Sequence, residues 1–130
     1  MSSIFSKIIK GEIPCNKIAE NEDFLAFLDI NPLVKGHTLV IPKKEIDYIF
    51  DIEDDLYKDY FSFAKKVAKG IKRAIPCQKI GVAVIGLEVP HAHIHLIPIN
   101  SVGDINFSRP KLNPTSEELE AVSAEIRKFL

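Results

Sequence analysis

One stretch of the chain carries apolar residues at three- and four-residue steps. Leu56, Tyr60, Phe63, Ala64, Val67, Ala68 and Ile71 form a single stripe, which predicts a helix from about Glu53 to Arg73. Its first turns are acidic (Glu53, Asp54, Asp55, Asp59) and its last basic (Lys65, Lys66, Lys69, Lys72, Arg73), a polarity that complements the helix dipole. The basic end reads as a solvated face. A second helix opens on Thr115-Ser116-Glu117-Glu118, a capping-box pattern, and places Leu119, Val122, Ile126 and Phe129 on one side. A short helical pattern lies at Ile4, Phe5, Ile8 and Ile9.

Elsewhere the chain reads as strands. Ile18–Glu20 and Phe24–Asp29 flank the polar turn Asn21-Glu22-Asp23, as in a hairpin. His37–Ile41 is closed by Pro42, Lys79–Ile85 precedes a turn at Gly86–Pro90, and His91–Ile97 is ended by Pro98. Ser101–Pro114 reads as an irregular connection. About five strands, mostly without intervening helices, one long helix and a C-terminal helix predict an α+β fold on an antiparallel sheet.

Composition narrows the function. The 130 residues predict one domain over 1–130, large enough to bury a core. An apolar fraction of 46% with 27% charged residues argues against disorder. Seventeen basic against eighteen acidic side chains give a net charge of -1, which argues against a nucleic-acid polymer as partner. A small nucleotide needs only one positive pocket and stays open. No apolar run approaches the roughly 18 residues of a membrane span. The opening MSSIFSKIIKGEIP lacks an apolar leader core and a cleavage site, so no secretory leader is expected. With two isolated cysteines, Cys15 and Cys77, this predicts a reduced, cytoplasmic protein.

Three of the four histidines fall within five residues, His91-Ala92-His93-Ile94-His95. On a strand these imidazoles share one face, while Ala92, Ile94 and Leu96 enter the core. Packing alone gives no simple reason for such alternation. Two chemistries fit. Alternate histidines can supply ligands to zinc. Neutral imidazole, with an ordinary pKa of about 6.5, can also attack phosphorus and form a labile phosphorus–nitrogen bond.

The run His91-Ala92-His93-Ile94-His95-Leu96-Ile97 resembles the signature of the histidine-triad (HIT) superfamily. Three upstream blocks share the resemblance: Ile4–Ile9 followed by Gly11-Glu12-Ile13-Pro14, Phe24–Pro32, and Gly36–Lys43. Together they cover most of residues 4–98; the extension and helix over 99–130 are not covered. The resemblance implies a HIT-like fold, a homodimer, and a hydrolase that frees a nucleoside monophosphate from a phosphoramidate, a dinucleoside polyphosphate or a similar leaving group. It makes His93 the nucleophile, with His91 supporting it through its backbone carbonyl. His95 would face the phosphate and leaving group, with His37 beside the triad. Asp29 would accept from the ribose hydroxyls. Ile4, Phe5, Ile8, Ile13, Phe27, Leu28 and Ile30 would line the base pocket, with Phe5, Ile8, Phe27 and Ile30 matching best. Apolar contact predicts purines without sharp discrimination. A nucleotide-binding or sensing module with little turnover, and a metal site in the triad, are the alternatives.

Two departures matter. Relatives with a structural zinc carry C-x-x-C near the N-terminus and a histidine after I-P-K-K. Here those positions are Ser3-Ile4-Phe5-Ser6 and Glu45, so no metal and no cofactor are expected. Leu87 and Glu88 stand where the family has a glutamine and a hydroxyl that contact the phosphate. Such lost donors cost about a hundredfold in rate in studied enzymes. Glu88, if it faces the cleft, brings a negative charge toward an anionic substrate.

Overall fold

The asparagine that closes the first turn shows how the sequence builds the sheet. Asn21 Oδ1 accepts from the N–H groups of Asp23 and Phe24, both at 2.9 Å, and folds strand β1 (Lys17–Glu20) back onto β2 (Phe24–Leu28). In this computed structural model, which describes residues 3–130, β3 (Thr38–Pro42), β4 (Lys79–Ala83) and β5 (Ile94–Ile99) complete an antiparallel sheet of order β1-β2-β3-β5-β4. Met1 and Ser2, which open the stretch read above as no secretory leader, lie outside the described residues. Three helices accompany the sheet: α1 (Ile4–Ile9), α2 (Asp54–Ala74) and α3 (Ser116–Arg127). The architecture is the α+β class expected.

Strands β2 and β3 are buried along their whole length, and their alternation serves two layers. Phe24, Ala26, Leu28 and Val40 join the main core beneath α2 and α3, with Ala92, Ile94 and Leu96 of the histidine segment. Leu25, Phe27, Leu39 and Ile41 face the other way and pack with Phe5 of α1. Helix α2 starts at its cap Glu53, whose carboxylate accepts from Leu56 N–H at 2.7 Å. It buries Tyr60, Ala64, Val67 and Ile71, and the Tyr60 hydroxyl donates to the Val40 carbonyl, tying the helix to the middle of the sheet. Among the described residues, no helix is long and apolar enough to cross a membrane.

Several boundaries differ from expectation: β2 ends at Leu28, not Asp29, β3 runs from Thr38 to Pro42, not from His37 to Ile41, and β4 ends at Ala83, not Ile85. Strand β5 begins at Ile94, not His91, because the chain before it is bonded to a loop: Ala92 N–H donates to the Ile46 carbonyl at 2.7 Å. Nor does Pro98 end that strand. The β3 ladder reaches only to Leu96, so the missing N–H of Pro98 deprives no partner there. Phe129 falls beyond the end of α3 and is 40% exposed, with the Arg73 guanidinium 5.8 Å from its ring centre. The connection over 101–114 is irregular apart from one short 3-10 turn, Val102–Ile105. It returns toward the sheet, where Leu112 N–H donates to the Pro32 carbonyl at 2.8 Å.

Candidate active site

The second layer is open on one side. A cleft of about 490 Å³ lies between α1, the ends of β2 and β3, the turn at 85–89 and the histidine segment. All seven apolar residues expected in a base pocket line it, as do Asp29, His37, Glu88, His93 and His95. Phe5 and Phe27 meet edge to face, with ring centres 5.7 Å apart, and form its floor. Ile30 is 62% exposed and stands at the rim. His91 is absent from the lining and sits behind it, fully buried.

Backbone partners fix the states of His37, His91 and His93, and His37 in turn fixes that of His95. The Nδ1 of His93 lies 2.8 Å from the His91 carbonyl, which can only accept. In neutral His93 the proton is therefore on Nδ1, and Nε2 carries a free lone pair. His91 Nε2 lies 2.7 Å from the Pro42 carbonyl, so its proton is on Nε2, and its Nδ1 accepts from the Ser3 hydroxyl at 2.8 Å. On the other flank, Leu33 N–H donates to His37 Nδ1 at 3.0 Å. That leaves the His37 proton on Nε2, 2.9 Å from His95 Nδ1, where it is donated. Neutral His95 then holds its own proton on Nε2. A main-chain amide thus sets the tautomer two rings away. The result is an unprotonated nitrogen on His93 beside an N–H on His95, with ring centres 5.0 Å apart.

Burial reinforces these neutral states. It pulls the His37 imidazole down to about 4 and that of His95 to about 3, and holds His91 below its ordinary range. The position of His37 depends on Gly36, which has φ of +91°; a Cβ there would lie 3.0 Å from Ile75 and 3.2 Å from Pro98. Asp29 directly follows β2, with one oxygen accepting from Asn31 N–H at 2.9 Å. Burial raises its carboxyl, opposed by that hydrogen bond and by the nearby His93 imidazole and Lys111 ammonium. Its other oxygen is 3.8 Å from His37 Nε2, outside hydrogen-bond reach.

Asp29, His37 and His95 bring potential ligand atoms within 4.8 Å of one another, which tests the metal reading. A metal on His37 Nε2 would require the proton on Nδ1, where Leu33 N–H already points. The donor set therefore fits a hydrogen-bonded pair and not a metal ligand. The zinc-type positions are likewise occupied by mutual hydrogen bonds. Glu45 accepts from Ser3 N–H and from the Ser6 hydroxyl, each at 2.6 Å, and these bonds hold its carboxyl well below the usual range. This cluster pins the start of α1 to the segment after β3 and, through Ser3, to His91.

With this geometry in place, a family model described as the HIT domain matches residues 10–102. The chain belongs to the HIT family. It is 39% identical over 137 residues to protein hit of Bacillus subtilis, covering 98% of this chain and 93% of that one. It is 40% identical over 129 residues to an adenosine 5'-monophosphoramidase of Schizosaccharomyces pombe, covering 97% and 96%. A crystal structure of a HIT-like protein from Bartonella henselae superposes with a TM-score of 0.86 at 32% identity, over 99% and 97% of the two chains.

Phe107 and Lys111 are the cleft residues farthest from anything the sequence reading assigned to the site; Cys15, Leu39, Ile85 and Val89 also line it unassigned. Phe107 and Lys111 line the cleft from the irregular segment, beyond the stretch matched by the HIT model. Phe107 stands edge-on to His95 with ring centres 4.8 Å apart. No periodicity marks that segment, and the only hint was a lone aromatic among polar residues. Leu87 is 89% exposed and Glu88 is also exposed, both at the mouth. Neither side chain supplies the amide or hydroxyl that this HIT turn usually brings.

Proposed function

We propose that this HIT protein hydrolyses nucleoside phosphoramidates through a nucleotidyl-His93 intermediate. The observation that carries the reading is the His91 carbonyl on His93 Nδ1, which leaves Nε2 as a lone pair in a nucleoside-sized cleft. The 40% identity to an adenosine 5'-monophosphoramidase favours the phosphoramidate among possible leaving groups. Phe5, Ile8 and Phe27 hold the base by apolar contact, with purines preferred, and Asp29 accepts from the ribose hydroxyls.

In the first step the His93 Nε2 pair forms a bond to phosphorus. The bond from phosphorus to the leaving nitrogen breaks, and its electron pair departs with the amine, which takes up a proton. Water then forms a bond to phosphorus and gives up a proton to solvent. The bond from phosphorus to His93 Nε2 breaks and its electron pair returns to Nε2, so that the nucleoside monophosphate leaves and His93 regains its starting state. The N–H of His95 donates to a phosphoryl oxygen as charge develops there. Its relay ends on the Leu33 amide, which has no proton to give at neutral pH. His95 therefore stays a donor of a hydrogen bond, and the proton for the amine comes from solvent at the open mouth.

The exposed Leu87 and Glu88 favour slow turnover, with a nucleotide-sensing role as the second reading. We further read the protein as a cytoplasmic homodimer. Both cysteines are free, and edge strand β4 leaves one side unpaired beside Val82 and Val84, 55% and 37% exposed. Light scattering of wild-type protein against Val82→Lys checks the dimer, which the lysine should weaken.

The test of function is hydrolysis of an adenosine phosphoramidate. Wild-type protein should release AMP, and His93→Ala should lose at least about a thousandfold in rate. Thermal stabilisation by AMP without hydrolysis would favour the sensing role. Equal rates for the two proteins would reject the nucleophile.

A further inference from the structure

The walls of the cleft are mostly apolar and give an entering anion little to pair with. Asp29 and Glu88 are the acids that line it, and its single Lys or Arg among the described residues is Lys111. Burial holds His37 and His95 neutral, so the imidazoles on that flank bring no positive charge at neutral pH. The turn at 87–88 offers neither an amide nor a hydroxyl side chain.

Lys111 is placed for the task by the segment that carries it. Its Nζ donates to the Phe107 carbonyl at 2.7 Å, and the next residue anchors the chain through Leu112 N–H to the Pro32 carbonyl at 2.8 Å. The Phe107 ring packs edge-on against both His95 and His37, at 4.8 and 6.2 Å between ring centres. The ammonium therefore sits at the His37–His95 flank of the cleft, and its charge is felt at Asp29 and His37.

We propose that Lys111 is the phosphate-binding cation of this cleft, supplying from the C-terminal segment the contact that Leu87 and Glu88 do not. The proposal rests on the nucleotide-hydrolase reading above. It makes residues beyond the HIT-matched stretch part of the substrate site. The ammonium leaves the Phe107 carbonyl, or shares itself with it, when a phosphoryl oxygen is present.

Calorimetry with AMP and with adenosine tests this, using wild-type protein, Lys111→Met, Lys111→Gln and Lys111→Arg. A lost charge-assisted hydrogen bond should weaken AMP binding by about tenfold or more in the Met and Gln variants. Adenosine, which lacks the phosphate, should bind all four proteins alike, and Arg should restore AMP binding to within about threefold. AMP affinity unchanged in Lys111→Met overturns the proposal, as does equal loss for AMP and adenosine. Full recovery in Lys111→Gln also overturns it, because glutamine can still bond Phe107 but carries no charge. Any of these leaves wild-type hydrolysis, and so the hydrolase reading, intact. Wild-type protein that neither binds AMP nor hydrolyses a phosphoramidate removes both.

Discussion

Replacing His37 with leucine breaks the relay at its middle link. Leu33 N–H loses its acceptor and His95 Nδ1 loses its donor, and both His37 and His95 are buried. Each group left unpaired costs about 1–3 kcal/mol, so unfolding in urea should show a loss of about 2–6 kcal/mol. The catalytic effect is separate. Without the His37 proton on its Nδ1, His95 can place its own proton on either nitrogen, and the donor toward the phosphoryl oxygen is no longer fixed. Loss of one preorganised donor of this kind lowers kcat by about 100- to 1,000-fold. His37→Gln supplies the discriminating control, since its amide can accept from Leu33 and donate to His95. It should retain kcat within about tenfold of wild type, consistent with one weakened hydrogen bond. Nitrogen-15 spectra of the imidazoles should show His95 protonated at Nε2 in wild type and Gln, and a mixture of tautomers in Leu. A Leu variant with wild-type kcat and an unchanged His95 spectrum would refute the relay.

Two further outcomes follow from the same structure. The His37 imidazole titrates near 4 when folded against about 6.5 when unfolded, so the unfolded chain binds more protons between those values. Its contribution is complete above about pH 6.5 and is lost as pH falls toward 4, by about 3 kcal/mol. Urea midpoints should fall more steeply over that range in wild type than in His37→Gln; parallel curves would contradict the burial of a neutral ring. Glu45→Ala releases Ser3 N–H and the Ser6 hydroxyl at the start of α1, which carries Phe5 and Ile8. KM for a phosphoramidate should rise about three- to tenfold with kcat little changed, as expected when binding is loosened without touching the reacting groups. An unaltered KM would show that the cluster does not position the cleft wall.

The helices and most strands were legible because their signals are local. The α2 stripe, the Thr115 cap and the Asn21 turn each lie within one element and match what formed. The start of β5 was not legible, since the segment from His91 to His93 alternates like a strand but bonds to a loop 46 positions earlier at Ile46. The histidines could be grouped from the motif, and the cleft collects His93, His95 and His37 along one wall with Asp29. The identity of the relay's last member could not be read, because it is the backbone N–H of Leu33 and any non-proline residue has one. Ser3, Ser6 and Glu45 read only as a missing zinc set, because their bonds join residues about 40 positions apart. Phe107 and Lys111 reach the cleft through an irregular chain whose path depends on single long-range bonds, such as that of Leu112 to Pro32.

In the proposed mechanism one imidazole nitrogen, left bare by a main-chain carbonyl, takes the nucleotidyl group. Mass mapping of protein mixed with an adenosine phosphoramidate and quenched in alkaline denaturant, which preserves phosphorus–nitrogen bonds, reads this directly. A single adenylyl adduct on His93 should form and decay at rates compatible with turnover. Steady hydrolysis with the adduct on another residue, or with no adduct under single-turnover conditions, would contradict the mechanism.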